Sequence, residues 1–361
     1  MKIVIEGTVF TLRMTGIGSN AKNIVESIIR YRPDIELSII SPRKFHKNYG
    51  DFEQELGFHV YRCPFLSSRM PSILWYHFYT KFVLKKLSAD IFFTPTTQYP
   101  LLTNKRTKYI ITVNDLVCKE FADTMEWKSR LVDYLVFDKA VKKARNIWAI
   151  SEYTHQALCK YYHGCDKKRF FIGISVDMAF KPQELSNTDK DYYLKSFGLK
   201  NKFVLFVGSL EPRKNLQFLL RIAPVLYQKA RIQTLIIGAN QWGKTHDDYD
   251  KDAIVFVKHF IKTEELVKLY NLATCYVSTS LNEGFGMPQL EAMKCGCPVV
   301  SPNNSAMSEV VSGYGTLIDG WDVDVWVDAI LQEINKEHHP YTGEKYDWKH
   351  IIENFIKFCE L

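Results

Sequence analysis

The chain has 361 residues, of which 46% are hydrophobic and 24% are charged. These proportions are typical of globular proteins and exclude a disordered, collagenous or coiled-coil chain, and the length favours two domains over a single core. No run approaches the roughly 18 apolar residues of a membrane span. The first ten residues carry one Lys and end their apolar run at Glu6, which predicts a buried strand and no signal peptide.

Positive charge is concentrated in the first half. Residues 1–180 carry 27 Lys and Arg against 17 Asp and Glu, whereas residues 181–361 carry 20 against 23. This favours an anionic partner, such as a phospholipid surface or a phosphorylated substrate, over nucleic acid, although a soluble domain with extra Lys accounts for it equally well. The eight cysteines include no CxxC motif, which indicates reduced thiols and a cytoplasmic protein.

The first half alternates short apolar runs with helical spacing. A loop with two glycines at 15–19 precedes a helix that runs from Ala21 to Ile29 and stops before Pro33. The predicted strands are Lys2–Ile5, Glu36–Ile40, Asp90–Phe93, Tyr109–Val113 and Ile147–Ile150. The pattern predicts a parallel sheet wrapped by helices.

The pattern restarts after residue 191, with helices at Leu216–Lys229 and Glu264–Ala273. The predicted strands are Phe203–Val207, Gln233–Ile237, Ala253–Val257, Cys275–Ser278 and Pro298–Ser301. The predicted fold is α/β, with two doubly wound domains, 1–178 and 179–345, that face a central cleft where ligands bind at the carboxyl ends of the strands. Residues 346–361 form an amphipathic helix, which either crosses back to the first domain or completes the second.

The segment Ser72–Leu87 combines aromatic side chains with Lys81, Lys85 and Lys86. It is too short and too polar to span a bilayer, but aromatic residues beside lysines suit a helix that lies in the headgroup region. The alternative is a helix that packs within the domain while its lysines reach solvent.

The strongest motif is SLNEGFGMPQLEAM at 280–293, which follows a predicted strand. Two glycines let the backbone approach a ligand, and Pro288 suits the first turn of a helix whose free N–H groups form an anion site. Glu283 and Glu291 do not suit phosphate, because like charges repel. They suit hydrogen bonds from hydroxyl groups, one of a sugar and one of a ribose.

This motif closely resembles the signature of retaining glycosyltransferases with two Rossmann-like domains, the glycosyl transferases group 1 or GT-B family, which includes lipopolysaccharide and O-antigen mannosyl- and rhamnosyltransferases. The resemblance implies that Glu283 approaches the donor sugar, that Glu291 holds the nucleotide ribose, and that N–H groups around Gly284, Phe285, Gly286 and Met287 take the diphosphate. Catalysis then rests on positioning and on stabilising the leaving group, so Glu283 orients the sugar and does not attack it.

A second match is FVGSLEPRKNL at 206–216. By the same resemblance it is the donor-phosphate loop, in which Gly208 approaches the donor and Lys214 binds phosphate. The family often has an Arg directly after the glycine, where this chain has Ser209, so Arg213 supplies that charge in our interpretation.

The first domain matches less sharply. Gly16 and Gly18 correspond to the family's glycine-rich loop near donor and acceptor, and residues 151–154 match a later segment. Asn114 and Asp115 correspond to a His-Asp pair whose His contacts the donor sugar. Asn114 can hydrogen-bond a hydroxyl but cannot titrate at neutral pH.

We expect no metal and no cofactor beyond the nucleotide-sugar substrate. Asp322 and Asp324, like Asp248 and Asp250, have the spacing by which other glycosyltransferases hold a divalent ion. The first pair precedes the apolar stretch Val325–Ile330 and is typical of a helix cap, and the second lies in a polar loop.

The sequence therefore predicts a cytoplasmic hexosyltransferase, peripheral on the inner face of the membrane, that retains anomeric configuration. Its predicted donor is a nucleotide diphosphate sugar, GDP-mannose first, and its acceptor a glycan or lipid-linked saccharide of the cell surface. The alternatives are a nucleotide-sugar epimerase of the same fold and a non-catalytic partner subunit that binds a nucleotide sugar. An NAD oxidoreductase is disfavoured, because the loop at Gly16 and Gly18 lacks the third glycine.

Overall fold

The chain divides into two compact units. Unit 1 is Met1–Ser175 with Glu344–Leu361, and unit 2 is Val176–Gly343. The computed structural model describes residues 1–50, 52–62, 74–121, 136–200, 202–238 and 249–361. Within those ranges, no helix has the length and the apolar character needed to cross a membrane.

Unit 1 is built on a sheet of seven parallel strands in the order β3-β2-β1-β4-β5-β6-β7. In chain order the strands are β1 Lys2–Glu6, β2 Glu36–Ser41, β3 His59–Arg62, β4 Ile91–Thr94, β5 Lys108–Val113, β6 Asn146–Ala149 and β7 Arg169–Ile172.

Helices connect these strands. They are α1 Gly16–Tyr31, α2 Phe52–Leu56, α3 Thr80–Leu87, α4 Val117–Glu120, α5 Glu152–Tyr161 and, from the end of the chain, α12 Trp348–Glu360. A π-helical turn, Trp75–Tyr79, leads into α3, and residues 136–143 are also helical. The inner strands carry apolar side chains on both faces, because helices cover both sides of a parallel sheet.

The last helix packs on the sheet of unit 1. The ring centroids of Phe355 and Trp148 lie 4.5 Å apart, and Arg169 donates a hydrogen bond of 2.6 Å to the Phe358 carbonyl oxygen. Its buried face includes Trp348, Ile352 and Phe355. The apolar face of this amphipathic helix is therefore part of the core of unit 1.

Unit 2 is built on six parallel strands in the order β10-β9-β8-β11-β12-β13. The strands are β8 Phe203–Val207, β9 Gln233–Ile237, β10 Ile254–Val257, β11 Cys275–Val277, β12 Val299–Pro302 and β13 Thr316–Ile318. The helices are α6 Asn187–Ser196, α7 Leu216–Ala230, α8 Thr263–Leu272, α9 Met287–Lys294, α10 Ser305–Val311 and α11 Val323–Glu333.

The α/β class with two doubly wound parallel sheets is confirmed. The predicted strands at Phe203–Val207 and Gln233–Ile237 have the same bounds in the structure, and the first strand extends one residue further, to Glu6. The edge strands β3 and β7 of unit 1 were not predicted from the sequence. Most of their residues are only half-buried, so neither presents a continuous apolar run.

Candidate active site

The donor-phosphate loop predicted from the sequence follows β8 in unit 2. Gly208 comes directly after the strand, and residues Pro212–Lys214 form a single 3-10 turn. A Cβ atom at Gly208 would lie 3.5 Å from Cε of Lys214, so the lysine side chain runs along this glycine. Gly238, at the end of β9, has no room for a side chain, because its Cβ would lie 2.1 Å from the Gly208 carbonyl oxygen.

Glu283 forms ion pairs with the two cations of that loop, Lys214 and Arg213. Lys214 donates a hydrogen bond to Oε1, and Arg213 Nη1 donates one of 2.9 Å to Oε2. Ser280 Oγ donates a third hydrogen bond, of 2.7 Å, to Oε1, while the Glu283 backbone N–H donates to Ser305 Oγ at 3.0 Å. The structure thus brings together Glu283, Lys214 and Arg213, the three residues to which the sequence analysis gave the orientation of the sugar and the binding of the leaving phosphates.

Charge decides the protonation state of Glu283. Burial alone raises the pKa of its carboxyl group, but the charges of Lys214 and Arg213 and the hydrogen bonds from Lys214 and Ser280 outweigh it and lower the pKa to about 2. The carboxylate is therefore ionised at neutral pH. A permanently ionised group can orient a hydroxyl or balance a cation, but it cannot act as a general acid.

The glycine-rich motif ends at the start of α9. Gly286 is the N-cap residue with φ of +106°, a conformation that favours glycine, and Pro288 occupies the first turn. Phe285, which precedes Gly286, is buried. The first N–H groups of a helix have no acceptor within the helix itself, and together with the helix dipole they favour an anion.

Glu291 lies on α9, and its carboxyl group receives a hydrogen bond of 2.8 Å from the hydroxyl of Tyr270 in α8. Burial raises the pKa of Glu291 to about 7, with Asp177 adding to the rise and the hydrogen bond from Tyr270 opposing it. Glu291 and Glu283 lie in one neighbourhood: burial chiefly, and then the charges of both carboxyl groups, raise the pKa of Tyr276 in β11.

The site residues predicted in the first domain lie in unit 1. Gly16 begins α1, and a Cβ at Gly18 would lie 2.1 Å from the Tyr49 hydroxyl, so this glycine makes room for a side chain of the same unit. Asn114 and Asp115 follow β5. The Asn114 amide donates to the Pro95 carbonyl oxygen at 3.4 Å, and Asp115 Oδ1 accepts from the Val117 N–H at 3.2 Å.

The acidic pair Asp322 and Asp324 lies at the N-terminus of α11. Asp322 Oδ1 accepts hydrogen bonds of 3.0 Å from the N–H groups of Asp324 and Val325, which caps α11. In the part of the chain that the structure describes, no three His, Cys, Asp or Glu side chains are placed to hold a metal ion together. Asp248 of the other pair lies outside the described residues.

Sequence analysis gave no role to four residues that shape this site. Ser280 lies inside the strongest motif, and its spacing of three from Glu283 was the available signal. Tyr270, Ser305 and Gly238 lie on separate elements, and nothing in the sequence connects them to Glu291, Glu283 or Gly208. Only the tertiary structure places them in contact.

Residues 192–347 match the family model described as glycosyl transferases group 1. The chain contains a glycosyl transferases group 1 domain. The Glu283 and Glu291 motif and the Lys214 loop both lie inside this domain, which covers most of unit 2. The domain assigned by resemblance in the sequence analysis is thereby confirmed.

Curated relatives of the domain include enzymes named for O-antigen synthesis. The chain is 33% identical to O-antigen chain mannosyltransferase B of Escherichia coli over 142 residues, which is 37% of each chain. It is 25% identical to the serotype-specific mannosyltransferase WbdA of E. coli over 61% of this chain and 29% of that protein. These matches thus span about a third of the relatives' length. O-antigen chain mannosyltransferase RfbU of Salmonella typhimurium is 24% identical over 86% of this chain and 88% of RfbU.

Solved structures share the fold across the whole chain. Anabaena HepE, in complex with UDP and glucose, has a TM-score of 0.71 at 15% identity, with 100% of this chain and 99% of that chain covered. The lipopolysaccharide glycosyltransferase WaaG has a TM-score of 0.66 at 13% identity over 99% and 95% of the chains. At these identities the likeness shows the fold, two Rossmann-like units of the GT-B class, and leaves the activity to other arguments.

Proposed function

We propose that this protein is a retaining glycosyltransferase that moves a hexose from a nucleotide diphosphate sugar to a hydroxyl group. The observation that carries the proposal is the convergence of Lys214 and Arg213 on Glu283, beside the start of α9. Two cations and a helix N-terminus suit a diphosphate leaving group, and an ionised carboxylate suits a sugar hydroxyl. The names of the curated relatives favour transfer over epimerisation.

The proposed roles follow from the contacts. With no donor bound, Lys214 and Arg213 are neutralised by Glu283. When a diphosphate arrives, the two cations share their hydrogen-bond donors with its oxygens, and Glu283 keeps its ionised form to orient the sugar. Glu291 accepts a hydrogen bond from a ribose hydroxyl while Tyr270 holds its other side. Asn114 and Asp115 contact sugar or acceptor.

The reaction needs no general base from the protein. The acceptor oxygen forms its bond to C1 of the sugar on the face from which the diphosphate departs, and the bond between C1 and the diphosphate oxygen breaks. The acceptor proton passes to the departing diphosphate. The protein's part is to hold the reactants in place and to stabilise the negative charge of the leaving group.

The proposed donor is GDP-mannose, because the Glu-Pro-Arg-Lys-Asn loop at 211–215 resembles that of mannosyltransferases and the relatives named above are mannosyltransferases. The proposed acceptor is a glycan or lipid-linked saccharide of cell-surface polysaccharide synthesis, reached from the cytoplasmic side of the membrane. No metal is needed in this proposal, since Lys214, Arg213 and the start of α9 meet the diphosphate charge.

The test is a thermal-shift panel with GDP, UDP, ADP and dTDP on the parent and on Glu291→Ala. A rise in melting temperature for one nucleotide, lost in the variant, is expected and identifies the base. The matching nucleotide sugar is then assayed for transfer to extracted lipid-linked saccharides, with the anomer assigned by NMR. Absence of a shift with every nucleotide, or hydrolysis and epimerisation without transfer, contradicts the proposal.

Contact with an anionic membrane is proposed for residues 74–87, which comprise the π-helical turn and α3. Leu74, Phe78 and Phe82 recur every four residues and are 43%, 45% and 64% exposed. Lys85 and Lys86 are exposed at the end of the same helix. Exposed aromatic side chains beside lysines suit the headgroup region of an anionic bilayer. Ser72 and Ile73, the start of the segment named from the sequence, lie outside the described residues.

Co-sedimentation with phosphatidylglycerol vesicles tests this contact. Phe78→Ser with Phe82→Ser is expected to release the protein into the supernatant. The matched control is Tyr192→Ser with Phe260→Ser, two side chains of unit 2 with exposures of 65% and 47%. Equal loss of sedimentation in both double variants, or none in either, contradicts a contact through α3.

A further inference from the structure

A basic pocket lies at the edge of the unit 1 sheet where strands begin. Its volume is about 740 Å³, and its described lining includes seven Lys and Arg side chains and no Asp or Glu. Lys108 is the first residue of β5, Arg145 precedes β6, and Arg169 is the first residue of β7. We call it the strand-start pocket.

The pocket is remote from the edge at which the acceptor is expected. In a parallel sheet, all strands begin at one edge and end at the other. Strand β5 has six residues between Lys108 and Val113, so at roughly 3.3 Å a residue about 17 Å separates its ends. Asn114 and Asp115 follow Val113, at the opposite end of β5 from Lys108. The strand-start pocket is therefore a different place from the predicted acceptor side of unit 1.

Backbone carbonyl groups fix the three inner cations. Lys168 Nζ donates hydrogen bonds of 2.7 Å to the carbonyl oxygens of both Val141 and Ala144. Lys108 Nζ donates to the Cys359 carbonyl oxygen at 3.0 Å, and Arg169 reaches that of Phe358. A lysine has three donors and an arginine five, so these side chains are held in position with further donors left for a ligand.

The exposed cations of the pocket have few carboxylate partners among the described residues. Lys143, Arg145 and Lys167 are exposed, and none of them forms an ion pair with a carboxylate of the described residues. Lys142 lies 3.9 Å from Asp138, whose other oxygen is closer, at 2.8 Å, to Lys119. Several like charges in a concave site repel one another, and a bound anion relieves that repulsion.

We propose that the strand-start pocket binds a ligand that carries two or more phosphate groups. Cations held by backbone carbonyl groups and exposed cations around them can contact several phosphate oxygens at once, and arginine binds such oxygens in bidentate fashion. The pocket volume suits a compact molecule. Tyr162 is buried, so His163 is the one exposed aromatic ring in the described lining, whereas sites for single-stranded nucleic acid stack successive bases on several aromatic side chains.

Calorimetric titration with inorganic tripolyphosphate at physiological ionic strength tests the proposal. The donor site of unit 2 is unchanged in the pocket variant, so a difference in tripolyphosphate binding between that variant and the parent belongs to the strand-start pocket. The triple variant Lys143→Gln, Arg145→Gln, Lys167→Gln removes only exposed side chains without ion pairs. We expect its affinity to fall by about tenfold or more, because each hydrogen bond to a charged group is worth about 1.5–3 kcal/mol.

The matched control removes the same charge from unit 2. Lys190→Gln, Lys195→Gln and Lys251→Gln are three exposed lysines, and this variant is expected to bind tripolyphosphate like the parent. Circular dichroism and the melting temperature check that both triple variants fold. The proposal is overturned by a parent that does not bind, by a pocket variant that binds like the parent, or by a control that loses as much affinity.

A second arm distinguishes a free ligand from a lipid headgroup. Vesicles that contain cardiolipin present two phosphates in each headgroup, and both triple variants are sedimented with them. If the pocket variant loses vesicle binding together with tripolyphosphate binding, the phosphates belong to a lipid, whereas loss of tripolyphosphate binding with unchanged vesicle binding assigns them to a soluble molecule. Both results support the site. The outcome does not depend on glycosyl transfer, because neither readout measures it.

Discussion

Lys214 donates a hydrogen bond to the carboxylate of Glu283, although 69 positions separate the two residues. Both are buried, with 8% and 9% of their surfaces exposed. Glu283 also receives hydrogen bonds from Arg213 and Ser280, so one carboxylate holds three donors from two loops. Ion pairs and hydrogen bonds to Glu283 thus connect the two loops that carry the family motifs.

Removing Glu283 is expected to cost more stability than removing Lys214. Glu283→Gln leaves the buried Lys214 without this counter-charge and leaves Arg213 with its longer ion pair to Glu211, at 3.4 Å, so it should lower the free energy of unfolding by about 3 kcal/mol. Lys214→Met leaves Glu283 with its hydrogen bonds from Arg213 and Ser280, so the free energy of unfolding should fall by less in this variant. Urea unfolding measures both. Equal losses, or a larger loss for Lys214→Met, would contradict this reading of the site.

A surface pair provides the control for that measurement. Lys229 lies 3.3 Å from both Asp324 and Asp328 and is exposed. Exposed pairs are screened by water and salt, so Lys229→Met is expected to leave the urea midpoint nearly unchanged.

Glu6 is expected to lower the stability of the protein at neutral and higher pH. It is 1% exposed at the end of β1, and burial raises its pKa from 4.5 to about 7, although hydrogen bonds with Thr8 oppose the rise. An acid with a raised pKa destabilises the folded state as pH rises above the unfolded value, and the full penalty is reached above the folded value. Glu6→Gln should therefore stabilise the protein by up to about 3 kcal/mol at pH 8 and by little at pH 4.5.

The measurement is denaturant unfolding of parent and Glu6→Gln across that pH range. Glutamine keeps an oxygen that can accept the hydrogen bond of 2.7 Å from the Thr8 N–H, so the comparison isolates the charge. A stability difference that is the same at both ends of the range would show that Glu6 does not titrate in this interval.

Nucleotide affinity is expected to follow the titration of Glu291. Its pKa is about 7, and an ionised carboxylate accepts a ribose hydroxyl better than a protonated one, so affinity should rise from pH 6 to pH 8. The hydrogen bond from Tyr270 lowers the pKa of Glu291, so Tyr270→Phe should move the midpoint to higher pH. Glu291→Gln should bind more weakly and without this pH dependence.

Fluorescence or calorimetric titration with the nucleotide found in the thermal-shift panel measures these profiles. An unchanged midpoint in Tyr270→Phe would mean that Tyr270 has only a packing role. A pH dependence that persists in Glu291→Gln would assign the titration to another group.

Gly286→Ala is expected to lower both stability and nucleotide affinity. Its φ of +106° disfavours a side chain, and the new Cβ would lie 3.2 Å from Oε1 of Gln289. The positive φ alone costs about 1–2 kcal/mol. Gly313 has φ of +81° and nothing within 4 Å of its Cβ position, so Gly313→Ala should show the conformational cost without any change in affinity.

Melting temperature and nucleotide titration separate the two effects. If Gly286→Ala keeps full affinity, the start of α9 does not bind the diphosphate, and if Gly313→Ala loses affinity as well, the effect comes from general destabilisation of unit 2.

The sequence by itself determined most of the strands and the motif residues of this protein. Local information suffices there: β8 is a continuous apolar run, β9 ends on three apolar residues, and the spacing of Glu283 and Glu291 is set along one loop and helix. The edge strands β3 and β7 escaped prediction because half-buried strands carry no continuous apolar pattern.

Only the tertiary structure decided which side chains meet. Tyr270 reaches Glu291 from another helix, and the cations of the strand-start pocket come from the starts of three strands and from the segments that lead into them. The C-terminal helix α12 has an apolar face that the sequence shows, but the sheet it covers is set by packing against Trp148. Such contacts depend on how distant elements are brought together by burial and charge, and no local pattern in the chain records them.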